Sequence, residues 1–141
     1  MKGNSTHMPL SPDILKDWTV LVVDDEPDSA EIVQALLEVY GAHVLTAANG
    51  RDGLEMIRRH RPRFVITDLT MPEMSGWEAI ERLKDDRNVS HIPIIVLSAL
   101  TDSASQTRAF EAGANSYLMK PFRFYDLKRR IDDLLELSAA V

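Results

Sequence analysis

Along the chain the hydrophobic pattern switches repeatedly between short unbroken runs and stripes at helical spacing. Val20 to Val23 is a continuous aliphatic run that stops abruptly at Asp24-Asp25, as expected of a strand buried on both faces. Pro27 suits the first position of a following helix. Ile32, Val33, Leu36, Leu37 and Tyr40 keep one face of it, and Gly41 is placed to end it. The same unit recurs. His43 to Ala47 predicts a second strand, then a helix from about Arg51 with Leu54, Met56 and Ile57. Phe64 to Asp68 predicts a third, with Trp77, Ile80 and Leu83 on a helix opened by Ser75 and Glu78 at capping-box spacing. Ile94 to Ser98 predicts a fourth, followed by a helix of small residues from Ser103 to Ala112 that Gly113 terminates. Ser116 to Met119 and a helix from Phe124 to Leu137, with Phe124, Leu127, Ile131, Leu134 and Leu135 in register, complete five strand–helix units.

Buried strands alternating with helices imply a parallel sheet covered on both faces by right-handed crossovers. A closed eight-stranded barrel needs about 250 residues, so an open, doubly wound α/β sheet is the expected fold. Residues 1–10 are unpatterned, and Ser5-Thr-His-Met8 reads as a cloning junction. Ser11, Pro12 and Asp13 offer a cap and first helical position for a short turn over Ile14 to Asp17 that covers an end of the core. Residues 18–138 form the domain proper, and no output domain is expected in this chain.

Composition narrows the function. The 141 residues are 45% hydrophobic and 27% charged, the profile of one globular domain. A net charge of -6, from 16 Lys+Arg against 22 Asp+Glu, opposes direct binding of nucleic acid or an anionic membrane. The absence of cysteine excludes disulfides, thiolate metal sites and cysteine nucleophiles. No stretch is long enough to span a bilayer, which takes roughly 20 apolar residues, so a cytoplasmic location is expected.

In an open α/β sheet, ligands sit beyond the carboxyl ends of the strands. Asp24, Asp25 and Glu26 follow the first strand, Asp68 ends the third, Ser98 the fourth, and Lys120 follows the fifth. Carboxylates gathered at one edge repel each other unless a cation neutralises them. Mg2+, which takes carboxylates, water and phosphate oxygens, is the natural ion, with Mn2+ as the alternative. Ser98 and Lys120 then suit the remaining oxygens of a phosphoryl group, and Asp68 suits a nucleophile that becomes an aspartyl phosphate.

Four fragments, Val20 to Pro27, Ile66 to Gly76, Ile94 to Ala99 and Tyr117 to Phe122, together resemble the receiver domain of two-component response regulators. The resemblance implies a flavodoxin-like (βα)5 fold with strand order 2-1-3-4-5. It makes Asp68 the phosphoacceptor, served by a histidine kinase or phosphotransfer protein. It implies Mg2+ on Asp25, supported by Asp24, with Asp68 and the backbone carbonyl of Thr70. Ser98 and Lys120 would hold the phosphoryl oxygens, Ala99 would leave room for them, and the bond from Lys120 to Pro121 would be cis. Tyr117 would be the switch aromatic, turning inward as Ser98 moves. The resemblance further implies a downstream protein or output domain read through the fourth helix, fifth strand and fifth helix, and slow autodephosphorylation in place of conventional enzyme turnover.

Other classes fit less well. A haloacid dehalogenase-type phosphatase needs a second Asp where Thr70 stands, and Asp24 to Pro27 would repel the phosphate of a flavin. The remaining rival is a receiver-like module that binds a partner without phosphorylation. His7, His43, His60 and His91 lack metal-ligand spacing, Trp77 reads as packing, and Arg58, Arg59, Arg61 and Arg63 read as helix-end charge. Ala114 to Tyr117 lacks the acidic residues of receivers that pair through this face to serve winged-helix domains, so that dimer is not expected.

Overall fold

The computed structural model describes residues 14–140. Five strands and five helices alternate: β1 Thr19–Val23, α1 Pro27–Val39, β2 His43–Ala47, α2 Gly50–His60, β3 Phe64–Thr67, α3 Gly76–Lys84, β4 Ile94–Ser98, α4 Ser103–Ala112, β5 Ser116–Met119 and α5 Phe124–Ala140. All pairings are parallel, in the order β2-β1-β3-β4-β5. Every strand foreseen from the sequence forms. β3 stops one residue short, which leaves Asp68 just beyond its end.

Successive strand residues point to opposite faces, and the core divides accordingly. Leu21, Val23, Val65, Ile94 and Val96 meet Leu54 and Ile57 of α2, Ile80 and Leu83 of α3, and Ala109 of α4. On the other face Val20, Val22, Phe64, Ile66, Ile95 and Leu97 meet Val33 and Leu37 of α1 and Leu127, Ile131 and Leu134 of α5. Residues 14–17 form a turn whose Leu15 is fully buried in this second cluster; its N–H donates to the Tyr40 carbonyl at 2.9 Å. The foreseen cap at Ser11 to Asp13 lies outside the described residues. So do His7 and the side chain of Leu135.

Two helix faces need correction. Ile32 is 58% exposed, although Val33 and Leu37 are buried, because at 100° per residue it lies on the flank of the stripe that Val33, Leu37 and Tyr40 define. Phe124 is likewise 39% exposed, at the first position of α5.

Helix ends follow local chemistry. Asn49 caps α2 by accepting from the Asp52 N–H. Ser75 caps α3 through the Glu78 N–H at 3.2 Å, whereas the Glu78 carboxylate pairs with Arg82 at 2.8 Å. At α4 the Asp102 carboxylate accepts from both the N–H and the hydroxyl of Ser105, at 2.9 and 2.8 Å. Those bonds hold the Asp102 carboxyl below its ordinary value. The cap therefore contributes fully above the unfolded-state pKa and is lost as pH falls through the lowered folded one. Asp102→Asn keeps a capping oxygen without a titration. On acidification from neutral to below the usual carboxylate range, the wild type is expected to lose urea midpoint relative to Asp102→Asn. A constant gap between the two would remove the cap from the acid response.

Candidate functional site

Register brings the polar residues together. Val23 is level with Thr67 across β1 and β3, so the next residues, Asp24 and Asp68, emerge side by side, with the Asp68 N–H donating to the Val23 carbonyl at 3.0 Å. Ser98 is level with Met119, and the Lys120 N–H donates to the Ser98 carbonyl at 2.8 Å. Asp24, Asp68, Ser98 and Lys120 thus reach one edge because four parallel strands end there.

Asp24, Asp68 and Ser98 are buried, and Asp25 is exposed. The Lys120 ammonium donates to Asp24 Oδ2 at 3.0 Å and to Asp68 Oδ2 at 3.3 Å, and lies 4.0 Å from Glu26. Burial works against this ammonium, but the bond to Asp24 and the charges of Asp68 and Asp24 outweigh it and hold its pKa above the ordinary lysine value. Asp68 Oδ1 accepts from the Leu69 N–H at 2.6 Å, with the Thr70 N–H 3.4 Å away. Asp24 Oδ1 accepts from the Glu26 N–H at 2.9 Å. Both buried carboxylates are oriented by backbone donors as well as by the lysine.

Carboxylate oxygens of Asp24, Asp25 and Asp68 lie within 4.8 Å of one another. Two ligands across a Mg2+ ion stand at most about 4.2 Å apart, twice its ~2.1 Å bond, so these three side chains are close to the spacing at which they could share one ion. The donor set, all hard oxygen, fits that ion. Asp24 and Asp25 also line a cleft of about 250 Å3, bounded by Pro27, Glu31, Gln34 and Thr46 to Ala48.

The switch residues foreseen from the sequence meet around one loop. Ser98 Oγ accepts from the Leu100 N–H at 3.1 Å, and the Tyr117 hydroxyl donates to the Leu100 carbonyl at 2.8 Å. Tyr117 is buried. That burial raises its phenol pKa, a hydrogen bond with Ser98 pulls it back, and the charges of Asp102 and Asp68 add to the rise. Ala99 is exposed beside Ser98, and the Lys120-Pro121 bond is cis.

The loop after Asp68 holds features that sequence reasoning missed. Glu73 has a left-handed φ of 67°, a conformation that costs a non-glycine residue about 1–2 kcal/mol, and its carboxylate pairs with Arg51 at 2.8 Å. Lys84, at the end of α3, donates to the carbonyls of Ser90 and Ile92 at 2.9 and 3.1 Å, and burial lowers its pKa. Trp77 is half-buried against the core, as foreseen, but also donates its indole N–H to the Ser105 carbonyl at 3.3 Å. Arg58, foreseen as helix-end charge, pairs with Asp86 at 3.1 Å. His43, His60 and His91 are exposed.

A five-stranded 2-1-3-4-5 sheet with an acidic cluster, a hydroxyl and a lysine at its carboxyl edge defines a flavodoxin-like receiver. The family model described as response regulator receiver domain matches residues 20–132. The chain belongs to that family, whose members serve two-component signalling together with histidine kinases or phosphotransfer proteins.

Among relatives, the "Probable transcriptional regulator ycf27" of Porphyridium aerugineum is 35% identical over 116 residues, covering 82% of this chain and 47% of its own length. The "Hybrid signal transduction histidine kinase D" of Dictyostelium discoideum is 36% identical over 121 residues, covering 86% of this chain and 8% of its own. The chain thus spans about half the length of the first of these and a small fraction of the second. The receiver domain of a sensor histidine kinase from Pseudomonas aeruginosa PAO1, solved with a magnesium ion coordinated in its active-site cleft, superposes with a TM-score of 0.78 at 27% identity, covering 84% of this chain and 98% of that one. Among the described residues no helix is long and apolar enough to cross a membrane.

Proposed function

We propose that this domain is a phosphorylation-dependent switch in which Asp68 accepts a phosphoryl group from a histidine kinase or phosphotransfer protein. The observation that carries the reading is the single ammonium of Lys120 bonded to both Asp24 and Asp68, within a cluster of three carboxylates whose oxygens lie within 4.8 Å. One cation among three carboxylates leaves the cluster negative, which favours a divalent ion. Asp24, Asp25 and Asp68 would hold Mg2+, with the Thr70 carbonyl as a further ligand, and the ion would supply charge neutralisation for the incoming oxygens.

In the transfer, an Asp68 carboxylate oxygen forms a bond to phosphorus as the donor's bond to phosphorus breaks, giving an acyl phosphate. Lys120 and the Ser98 hydroxyl meet the phosphoryl oxygens, beside the open space left by Ala99. The acceptor is oriented by the Leu69 N–H, so part of the entropy of alignment is met before the donor arrives. The phosphoryl group carries about -1.5 to -2 where the carboxylate carried -1, and its three oxygens draw Ser98 and Lys120 toward it. Ser98 is bonded to Leu100, and Leu100 to Tyr117, so the pull reaches the loop that leads into α4.

Phe110 of α4, Met119 of β5 and Tyr125 of α5 are exposed, which supports the use of these elements as the surface a downstream protein reads. The cytoplasm, where such donors act, is the proposed location. The test is intact mass after incubation with acetyl phosphate and Mg2+. Gain of one acid-stable, base-labile phosphoryl group, absent without metal, is the expected result. A folded, Mg2+-binding protein that gains nothing from acetyl phosphate or from a panel of kinases would favour a partner-binding module that works unphosphorylated.

A further inference from the structure

α4 has little apolar hold on the domain, since of its described residues only Ala109 is buried. Its first turn is fastened by polar contacts instead. Ser105 is engaged at three groups: its N–H and hydroxyl donate to Asp102, and its carbonyl accepts from the Trp77 indole N–H. The Trp77 ring also carries the Arg108 guanidinium 4.3 Å above its centroid, in reach of a cation–π attraction. Trp77 therefore grips α4 at two positions one helical turn apart.

The other end of this grip lies at the acceptor. Trp77 directly follows Gly76, whose N–H donates to the Leu69 carbonyl at 2.8 Å. Gly76 lies so close to the Asp68 backbone that a Cβ there would fall 2.1 Å from the Asp68 carbonyl oxygen and 2.7 Å from Leu69 Cα. Contacts this tight between backbones do not stretch or slide, so a shift of Asp68 and Leu69 must move the start of α3 with it. We propose that Trp77 is a positioning residue that couples the backbone around Asp68 to the first turn of α4, so that what Asp68 binds is transmitted through α3 as well as through Ser98 and Tyr117. This inference rests on the reading of Asp68 as acceptor and adds a second line of coupling to it.

A tryptophan that only stabilised α4 would do so equally whatever Asp68 carried. A coupling residue must make the response of α4 depend on the occupant of Asp68. The chain has two tryptophans, so Trp18→Phe leaves Trp77 as the sole indole. In that variant, emission is followed through addition of Mg2+ and then acetyl phosphate, and each sample is weighed for the adduct. In parallel, deuterium exchange of residues 103–112 is compared with and without these additions in the wild type and in Trp77→Phe, which keeps a ring under Arg108 and deletes the donor.

The expected results are a shift of Trp77 emission on both additions and a change in α4 exchange of roughly three- to tenfold, the range set by one net hydrogen bond. That change should shrink to less than half in Trp77→Phe at equal adduct. Unmoved emission with a full adduct, or an equal α4 change in Trp77→Phe, overturns the coupling and leaves the acceptor reading standing. An emission response to Mg2+ with no mass gain from acetyl phosphate or from a panel of kinases supports the coupling and counts against the acceptor reading instead.

Discussion

Asp68→Asn is expected to abolish phosphoryl gain while leaving the domain folded, and to raise its thermal midpoint in metal-free buffer. The amide has no anionic oxygen to attack phosphorus, but it is nearly isosteric, and its carbonyl oxygen still suits the Leu69 N–H that Asp68 Oδ1 accepts. The stability change follows from charge. Three carboxylates face one ammonium, and removing the charge at Asp68 lowers the repulsion while Lys120 keeps its shorter, 3.0 Å bond to Asp24. Metal addition should reverse the ranking. A ligand at a hundredfold excess over its dissociation constant stabilises by about 2.7 kcal/mol, and Asp68→Asn, short of one ligand charge, should gain much less than the wild type. Calorimetry with and without Mg2+, alongside intact mass, reads all three quantities. Phosphoryl gain retained in the variant would move the acceptor elsewhere, and an undiminished metal response would remove Asp68 from the cation site.

Gly76→Ala is expected to be the most damaging small substitution in the domain. Its methyl group would stand 2.1 Å from the Asp68 carbonyl oxygen, 2.7 Å from Leu69 Cα and 3.0 Å from the Asp68 carbonyl carbon. All three are backbone atoms, so no side chain can rotate away. Overpacking usually costs about 1–3 kcal/mol, and a clash this deep against backbone belongs at or above the top of that range, a large share of the roughly 5–15 kcal/mol that holds a domain folded. Gly53→Ala gives the contrast: its methyl would meet Val23 Cγ2 at 3.0 Å, a side-chain atom with some freedom to yield. Urea midpoints should therefore fall far more for Gly76→Ala than for Gly53→Ala. The surviving folded fraction of Gly76→Ala should also take up phosphoryl more slowly, because relief of the clash displaces Asp68. Equal midpoints for the two variants would contradict the close approach.

Much of this could be read from the chain. Aliphatic runs ending in Asp24, Asp68 and Ser98 marked both the strands and the edge where polar chemistry collects, because a parallel strand buried on two faces leaves its polar residues at its ends. Ile32 misled because a stripe two residues wide looks the same whether the helix rolls one way or the other. The Trp77 bond to Ser105 spans 28 positions and depends on how α3 and α4 lie together, which no local pattern records. The same holds for Lys84, whose bonds to Ser90 and Ile92 exist only once the intervening loop has folded back. No local pattern tells that the missing side chain of Gly76 makes room for the backbone of Asp68 and Leu69.

The sheet separates two apolar clusters, one under α2, α3 and α4 and the other under α1 and α5. Tyr117, Leu69 and Met71 belong to the first, with Trp77 packed against it, so much of what surrounds Asp68 leans on one side of a wall only one residue thick. Packing under α1 on the far side is then largely free of the demands placed on the Asp68 edge. Such a partition lets residues under α2, α3 and α4 be altered to change how the Asp68 edge moves, while those under α1 continue to hold the strands in register.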